Sequence, residues 1–214
     1  MTALKIVAIV VIGYLFGNFN TAVVISRLKG RDIRTLGSGN PGTMNMLRNF
    51  GIFWGLMTLL GDALKGAVPA LLGWWIYGDE WTLGADKLGA CIAGVSVITG
   101  HIFPVFYRFR GGKGIASTIG VCAVIHPVAT LCSFAVGAVF LIFTHMGAVT
   151  SFIMITVPIV AEAVRCAGDA PATAALLFVL FMLTLFAHRG NIVKLMTGKE
   201  RPVVLFGRKD KKQA

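Results

Sequence analysis

Three short segments concentrate the residue types that bind and move anionic groups. The first is S-G-N-P-G-T-M-N-M-L-R at 38–48, where Ser38, Asn40, Thr43, Asn45 and Arg48 are set among Gly37, Gly39 and Gly42. Glycine permits tight turns that aim backbone N–H groups at an anion. Pro41 is suited to opening a helix, and a helix N-terminus also favours phosphate. The Arg48 guanidinium is a planar fork that matches phosphate oxygens. The same run also reads as an ordinary Gly-Pro turn between two helices. The second segment is Gly111, Gly112, Lys113 and Gly114, followed by Ser117 and Thr118. It is not the G-x-x-x-x-G-K-[ST] phosphate loop, because Gly114 stands where that loop needs Ser or Thr. A loose backbone and one lysine at the start of a helix can still hold a phosphate. A basic connecting loop is the alternative. The third segment is H-R-G-N-I-V-K-L-M-T-G-K-E at 188–200. His188 and Asn191 share a face if this segment is helical, with Lys194 and Glu200 further along. His188 ends the last apolar run, where it can donate to phosphate, act as a base or cap the helix.

Two charged pairs fall within apolar runs. Asp62 and Lys65 are spaced to form a structural ion pair, although ionisable groups inside a membrane also point to function. Glu162 and Arg165 are spaced the same way near the far end of their run and read as an interfacial pair. The four cysteines, Cys91, Cys122, Cys132 and Cys166, lie in or beside apolar stretches and read as packing residues. No H-x-x-x-H pair or paired-Asp site offers a metal centre, and no G-x-S-x-G elbow presents a serine nucleophile. No metal and no cofactor is expected.

The elements that carry these segments are transmembrane helices. Only 14% of residues are charged, against about a quarter in soluble domains, and the mean hydropathy is +0.80. A span needs about 20 apolar residues. Apolar runs occupy 3–26, 50–78, 88–107, 115–143, 147–165 and 170–187. The first is read as a retained helix, since basic residues follow it where a cleavage site would be needed. The net charge of +11 falls in three blocks, 27–49, 108–114 and 188–214. That pattern indicates anionic lipid headgroups and anionic substrates as partners, and no nucleic acid, because no aromatic-interleaved basic module is present. The positive-inside rule places all three blocks in the cytoplasm, which puts the N-terminus outside and the C-terminus inside. An even number of crossings must then lie between 114 and 188. His126-Pro127 splits the long run over 115–143, since proline breaks a helix. The split predicts seven helices in one all-α membrane domain over 1–214, with five as the alternative. The piece at 115–125 would be short or re-entrant.

In this order the three segments resemble the motifs of the PlsY family, the acyl-phosphate:glycerol-3-phosphate acyltransferases. The family pattern is S-G-N-P-G-x-x-N-x-x-R, then G-G-K-G, then H-x-x-N-x-x-R/K-L-x-x-G-x-E, matched here at 38–48, 111–114 and 188–200. G-D-x-x-K-G at 61–66 and G-H-I-F-P-V-F at 100–106 agree as well. Thr43 departs from the family's usual alanine, and Ser151 matches the last serine of a looser segment at 144–151. The H-x-x-x-x-D motif of the other acyltransferase superfamily is absent.

The resemblance implies a seven-helix bacterial inner-membrane enzyme with its site at the cytoplasmic face, acting as a monomer. Such an enzyme moves an acyl chain from acyl phosphate to the sn-1 hydroxyl of glycerol 3-phosphate, giving lysophosphatidic acid and inorganic phosphate. Ser38, Arg48, Lys113 and His188 are the expected catalytic residues. Gly39, Asn40, Gly42, Thr43, Asn45, Gly111, Gly112, Gly114, Ser151 and Asn191 are the expected substrate-binding residues. The proton acceptor is either His188 or a substrate phosphate. A small transporter for an anionic metabolite is the rival reading of a different class.

Overall fold

Ten α-helices and no strand follow one another in the computed structural model, which describes residues 1–80, 86–200 and 202–203. The basic tail expected after Glu200 lies outside the described residues except for Pro202 and Val203. The apolar run over 3–26 forms two helices where one was expected, α1 (Thr2–Asn18) and α2 (Thr21–Leu28). Asn20 makes the break: its side-chain oxygen accepts from the Val23 amide at 3.0 Å and so caps α2. A short helix, α3 (Thr43–Phe50), precedes the long α4 (Ile52–Tyr77). Gly42 is the N-cap of α3, so this helix begins two residues after Pro41, the expected start. Next come α5 (Leu88–Ile102), α6 (Ile115–Ile125), α7 (Pro127–Thr144), α8 (Gly147–Cys166), α9 (Pro171–Ala187) and α10 (Arg189–Met196). The break between α6 and α7 falls at His126-Pro127, as the proline predicts.

The bundle turns large apolar side chains outward. Val128, Leu131, Phe143, Val164 and Phe178 are all more than half exposed. Such a surface suits acyl chains and not water. Five stretches are long and apolar enough to cross a membrane: Thr2–Leu28, Ile52–Tyr77, Leu88–Tyr107, Pro127–Thr144 and Gly147–Cys166. A sixth is the pair formed by α9 and α10, bent by 59°. The apolar α6, with 11 residues, is shorter than these.

Helices pack through backbone. A Cβ on Gly120 would lie 1.9 Å from the Ala63 carbonyl oxygen, and one on Gly66 would lie 2.1 Å from the Ser117 carbonyl oxygen. These two positions lock α4 against α6. The buried core centres on Val97, Ile98, Val121, Cys122, Ile155 and Leu177, contributed by α5, α6, α8 and α9. All four cysteines are free thiols.

A charged cluster ties one end of the bundle. Lys87 Nζ donates to the Ile125 carbonyl at 2.8 Å and lies 3.6 Å from Glu162. It thus caps the C-terminus of α6, where a cation is favoured. Glu162 also pairs with Arg165 at 2.7 Å. The expected pair therefore forms, with Arg165 31% exposed and Glu162 buried at 1%. Lys87, remote in sequence, makes that burial possible.

Candidate active site

At the other end of the bundle the three basic segments meet. A cavity of about 460 Å³ is lined from the first segment by Ser38, Asn40, Gly42, Thr43, Asn45 and Arg48. The second segment adds Lys113 and Gly114, and the third adds His188, Asn191, Lys194 and Glu200. Ser151, near the start of α8, lines it as well, whereas Gly39, Gly111 and Gly112 of the expected set do not. Residues up to 162 positions apart therefore share one wall, with apolar Leu59, Ile119 and Met154 beside them.

The first loop is held rigidly from within. The Asn45 side chain donates to the carbonyls of Ile33 and Leu36 at 3.2 and 3.0 Å, and its oxygen accepts from the Ser38 amide at 3.2 Å. The Gly39 amide donates to the Leu36 carbonyl at 2.9 Å, and the Gly42 amide to the Asn40 carbonyl at 3.0 Å. The Asn40 amide donates to Ser38 Oγ at 3.4 Å. These N–H groups, expected to face an anion, are thus spent on the loop itself. The amides left for a ligand are those of Thr43 and Met44, which open α3 and have no intrahelical acceptor. Both residues line the cavity, and Thr43 Oγ1 is buried without a hydrogen-bond partner among the described residues. Gly39 is not part of the lining; its φ of +70° belongs to the turn.

Gly111 and Gly112 also lie off the cavity. Their amides donate to the carbonyls of Ile102 at 3.2 Å and His101 at 3.1 Å, folding the loop back onto the end of α5. A Cβ on Gly111 would lie 1.9 Å from the His101 carbonyl oxygen. Their role is to let the loop pass close to α5 and deliver Lys113 to the cavity.

Lys113 Nζ donates to Asn191 Oδ1 at 2.5 Å, which joins the second and third segments directly. Burial lowers its pKa to about 8, and the nearby cations Lys194 and Arg48 push in the same direction, with Glu200 opposing them. Lys199 adds a further cation to the lining. Glu200 Oε1 accepts from the Ala148 amide at 2.8 Å and so fastens the third segment to the start of α8. His188, at the junction of α9 and α10, lies 2.9 Å through Nδ1 from the Thr184 carbonyl oxygen. A carbonyl only accepts, so Nδ1 carries the proton and Nε2 keeps its lone pair. Ser151 Oγ donates to the Gly147 carbonyl at 2.9 Å and must turn to donate to a ligand.

Two ionisable lining residues come from outside the three basic segments. Asp62 and His101 both reach the cavity, and of the two readings the sequence gives Asp62, structural ion pair or functional group, neither placed it here. That pair exists, with Lys65 Nζ 3.2 Å from Asp62 Oδ1. The H-I-F-P run before the Gly-Lys loop was the available signal for His101.

A family model described as glycerol-3-phosphate acyltransferase matches residues 7–198. The chain belongs to the glycerol-3-phosphate acyltransferase family. A glycerol-3-phosphate acyltransferase of Paraburkholderia phytofirmans is 38% identical over 198 residues, 90% of this chain and 88% of that one. One from Pseudomonas savastanoi is 37% identical over 191 residues, covering 88% and 93%. The fold is similar to that of PlsY (YgiH), an integral membrane glycerol 3-phosphate acyltransferase, in its glycerol 3-phosphate crystal form. The TM-score is 0.79 and the identity 31%, over 94% of this chain and 96% of that one. The lysophosphatidic acid form of PlsY gives a TM-score of 0.78 at 30% identity. This chain is accordingly an integral membrane glycerol-3-phosphate acyltransferase, and its family places it in phospholipid synthesis.

Proposed function

We propose that the enzyme takes its acyl chain from acyl phosphate and delivers it to the sn-1 hydroxyl of glycerol 3-phosphate, releasing lysophosphatidic acid and inorganic phosphate. The observation that carries this reading is the convergence of Arg48, Lys113, Lys194 and Lys199 on one cavity, where burial first, and then the neighbouring Lys194 and Arg48, lower the pKa of Lys113. Such a site is electrostatically incomplete until anions enter it. Two phosphates, one from each substrate, meet that need.

The hydroxyl oxygen attacks the acyl carbonyl carbon, the bond from that carbon to the phosphate oxygen breaks, and phosphate leaves with the electron pair. The hydroxyl proton ends on a phosphate oxygen. His188 has its Nδ1–H committed to the Thr184 carbonyl, with no carboxylate there to raise its basicity, whereas a phosphate monoester dianion takes up a proton at about pKa 6. The better-matched acceptor at neutral pH is the substrate. His188 Nε2 then accepts from the sn-2 hydroxyl of glycerol 3-phosphate and so orients the molecule, leaving the sn-1 proton to the phosphate. Arg48 and Lys113, with the amides of Thr43 and Met44, hold phosphate oxygens, and Asn191 and Ser151 position them. Positioning and charge neutralisation do most of the work because the acyl donor is already activated.

The cavity lies at the cytoplasmic face of a bacterial inner membrane, with the N-terminus outside and α6 as a short seventh crossing. Two observations support this: all three basic blocks meet at the cavity, and Lys87, Ile125, Glu162 and Thr173 gather at the opposite end. The test is incubation of purified protein with palmitoyl phosphate and labelled glycerol 3-phosphate, without coenzyme A and without metal. Labelled lysophosphatidic acid is expected. Its absence, with product appearing only when acyl-coenzyme A is supplied, would refute the acyl phosphate donor.

A further inference from the structure

The buried cluster around Lys65 has no part in the chemistry above, yet its members Asp62 and His101 line the cavity. Lys65 Nζ is surrounded by acceptors: Asp62 Oδ1 at 3.2 Å, the Gly17 carbonyl at 3.4 Å and the Phe19 carbonyl. Thr21 donates its amide and its hydroxyl to the same carboxylate oxygen, at 3.3 and 2.8 Å. A carboxylate and two carbonyls hold the lysine as an ammonium, which can only donate. His101 Nδ1, 2.7 Å from Lys65 Nζ, is therefore an acceptor. A neutral imidazole that accepts at Nδ1 carries its proton at Nε2. His101 is only 4% exposed, and its Nε2 has no protein acceptor among the described residues.

Gly112 is what leaves that edge of the ring clear. A Cβ on residue 112 would lie 2.2 Å from His101 Nε2, and the three atoms nearest to it all belong to the His101 ring. The glycine thus makes room for an imidazole at the cavity wall, with its own amide spent on the His101 carbonyl.

We infer that His101 contacts substrate: its Nε2–H, fixed by Lys65, donates to a phosphoryl oxygen of the ligand in the cavity. The inference rests on the phosphate-binding reading above and adds a neutral donor to it. Neutrality is useful there, because Lys113 is already repelled by Lys194 and Arg48, and a further cation would deepen that repulsion. Glycerol 3-phosphate and acyl phosphate share the phosphoryl chemistry.

The test uses the full chain in detergent. Affinities for glycerol 3-phosphate and for palmitoyl phosphate are measured by calorimetry, alongside turnover and melting temperature. The proteins are wild type, His101→Leu, His101→Gln, Gly112→Ala and the Leu/Ala double variant. His101→Leu is expected to fold and to lose affinity for at least one phosphate on the order of 10- to 100-fold, as for one hydrogen bond to a charged group. His101→Gln, which offers an amide N–H, recovers most of the loss. Gly112→Ala reproduces the loss in the wild-type background and adds nothing in the Leu background, where the clashing ring is gone. Whichever affinity falls identifies the phosphate that His101 meets. The inference is overturned if folded Leu variant binds both ligands normally, or if the Leu and Gln variants lose equally. Should the Leu variant not fold, Gly112→Ala decides the matter: unchanged affinities overturn the inference, and the predicted loss supports it. Wild-type protein that binds both ligands without turnover would count against acyl transfer, while the ranking of affinities would still judge His101.

Discussion

Lys113 is the residue on which the electrostatics of the site turn. It is half-buried, repelled by Lys194 and Arg48, and joined to Asn191 by its hydrogen bond. Replacing Lys113 or Arg48 with alanine removes a cation from an anion site. We expect turnover to fall at least on the order of 100-fold, as for other charge-stabilising donors, with the melting temperature in detergent little changed. The lowered pKa of Lys113 also sets a pH limit. In the free enzyme its ammonium is present below about 8 and is lost as pH rises through that value. KM for glycerol 3-phosphate should therefore climb above that pH, and a Lys113→Arg variant should lose this alkaline limb, because guanidinium stays charged. Initial rates measured across pH with both proteins check this. At this scale the sequence was most legible where a residue carries its own chemistry, as Arg48, Lys113, His188 and Asn191 do. It was least legible where the role depends on a neighbour brought from another helix. Gly111 and Gly112 look like a phosphate cradle until α5 is placed beneath them, and the Lys65–His101 contact joins residues on α4 and α5.

Among the elements, α6 depends most on its neighbours. It has 11 residues, which extend about 16 Å against a hydrocarbon thickness of about 30 Å. Its N-terminus follows Lys113 directly, and its last carbonyl is capped by buried Lys87. Between them Gly120 lets it lie on the α4 backbone. Gly120→Ala would place a methyl group inside the Ala63 carbonyl. Overpacking of this kind costs about 1–3 kcal/mol, so a lower melting temperature is expected. Turnover should fall with it, because a displaced α6 carries Lys113 along. A Gly168→Ala control, at a site where a Cβ meets nothing, should leave both unchanged. The split before α7 could be read from His126-Pro127 because proline acts locally. The break between α1 and α2 escaped the same reading: Asn20 caps α2 through its side chain and also donates to the Pro41 carbonyl at 3.2 Å, a contact set by the fold.

At the scale of the whole molecule, the proposed orientation is open to direct measurement. Single cysteines introduced at exposed Lys29, Arg110 and Lys199, in a background lacking the four native cysteines, should react with impermeant maleimide only when the cytoplasmic side is accessible. Cysteines at exposed Glu80 and Asp169 should react only from outside. Reaction of Lys29 and Lys199 variants from opposite sides would break the proposed topology. The overall count of apolar runs was legible because lipid imposes a minimum length on each one. The meeting of the basic blocks was legible only as a shared side of the membrane, and their contact across one cavity needed the fold. That contact has a practical consequence for the chain as a string. The lining is drawn from positions 37 to 203, so a cut in the loop after Thr144 leaves Arg48 and Lys113 on one fragment and His188 and Asn191 on the other. Neither fragment alone can catalyse; co-expressed, they become a complementation pair whose recovered activity reports directly on helix reassembly inside a living membrane.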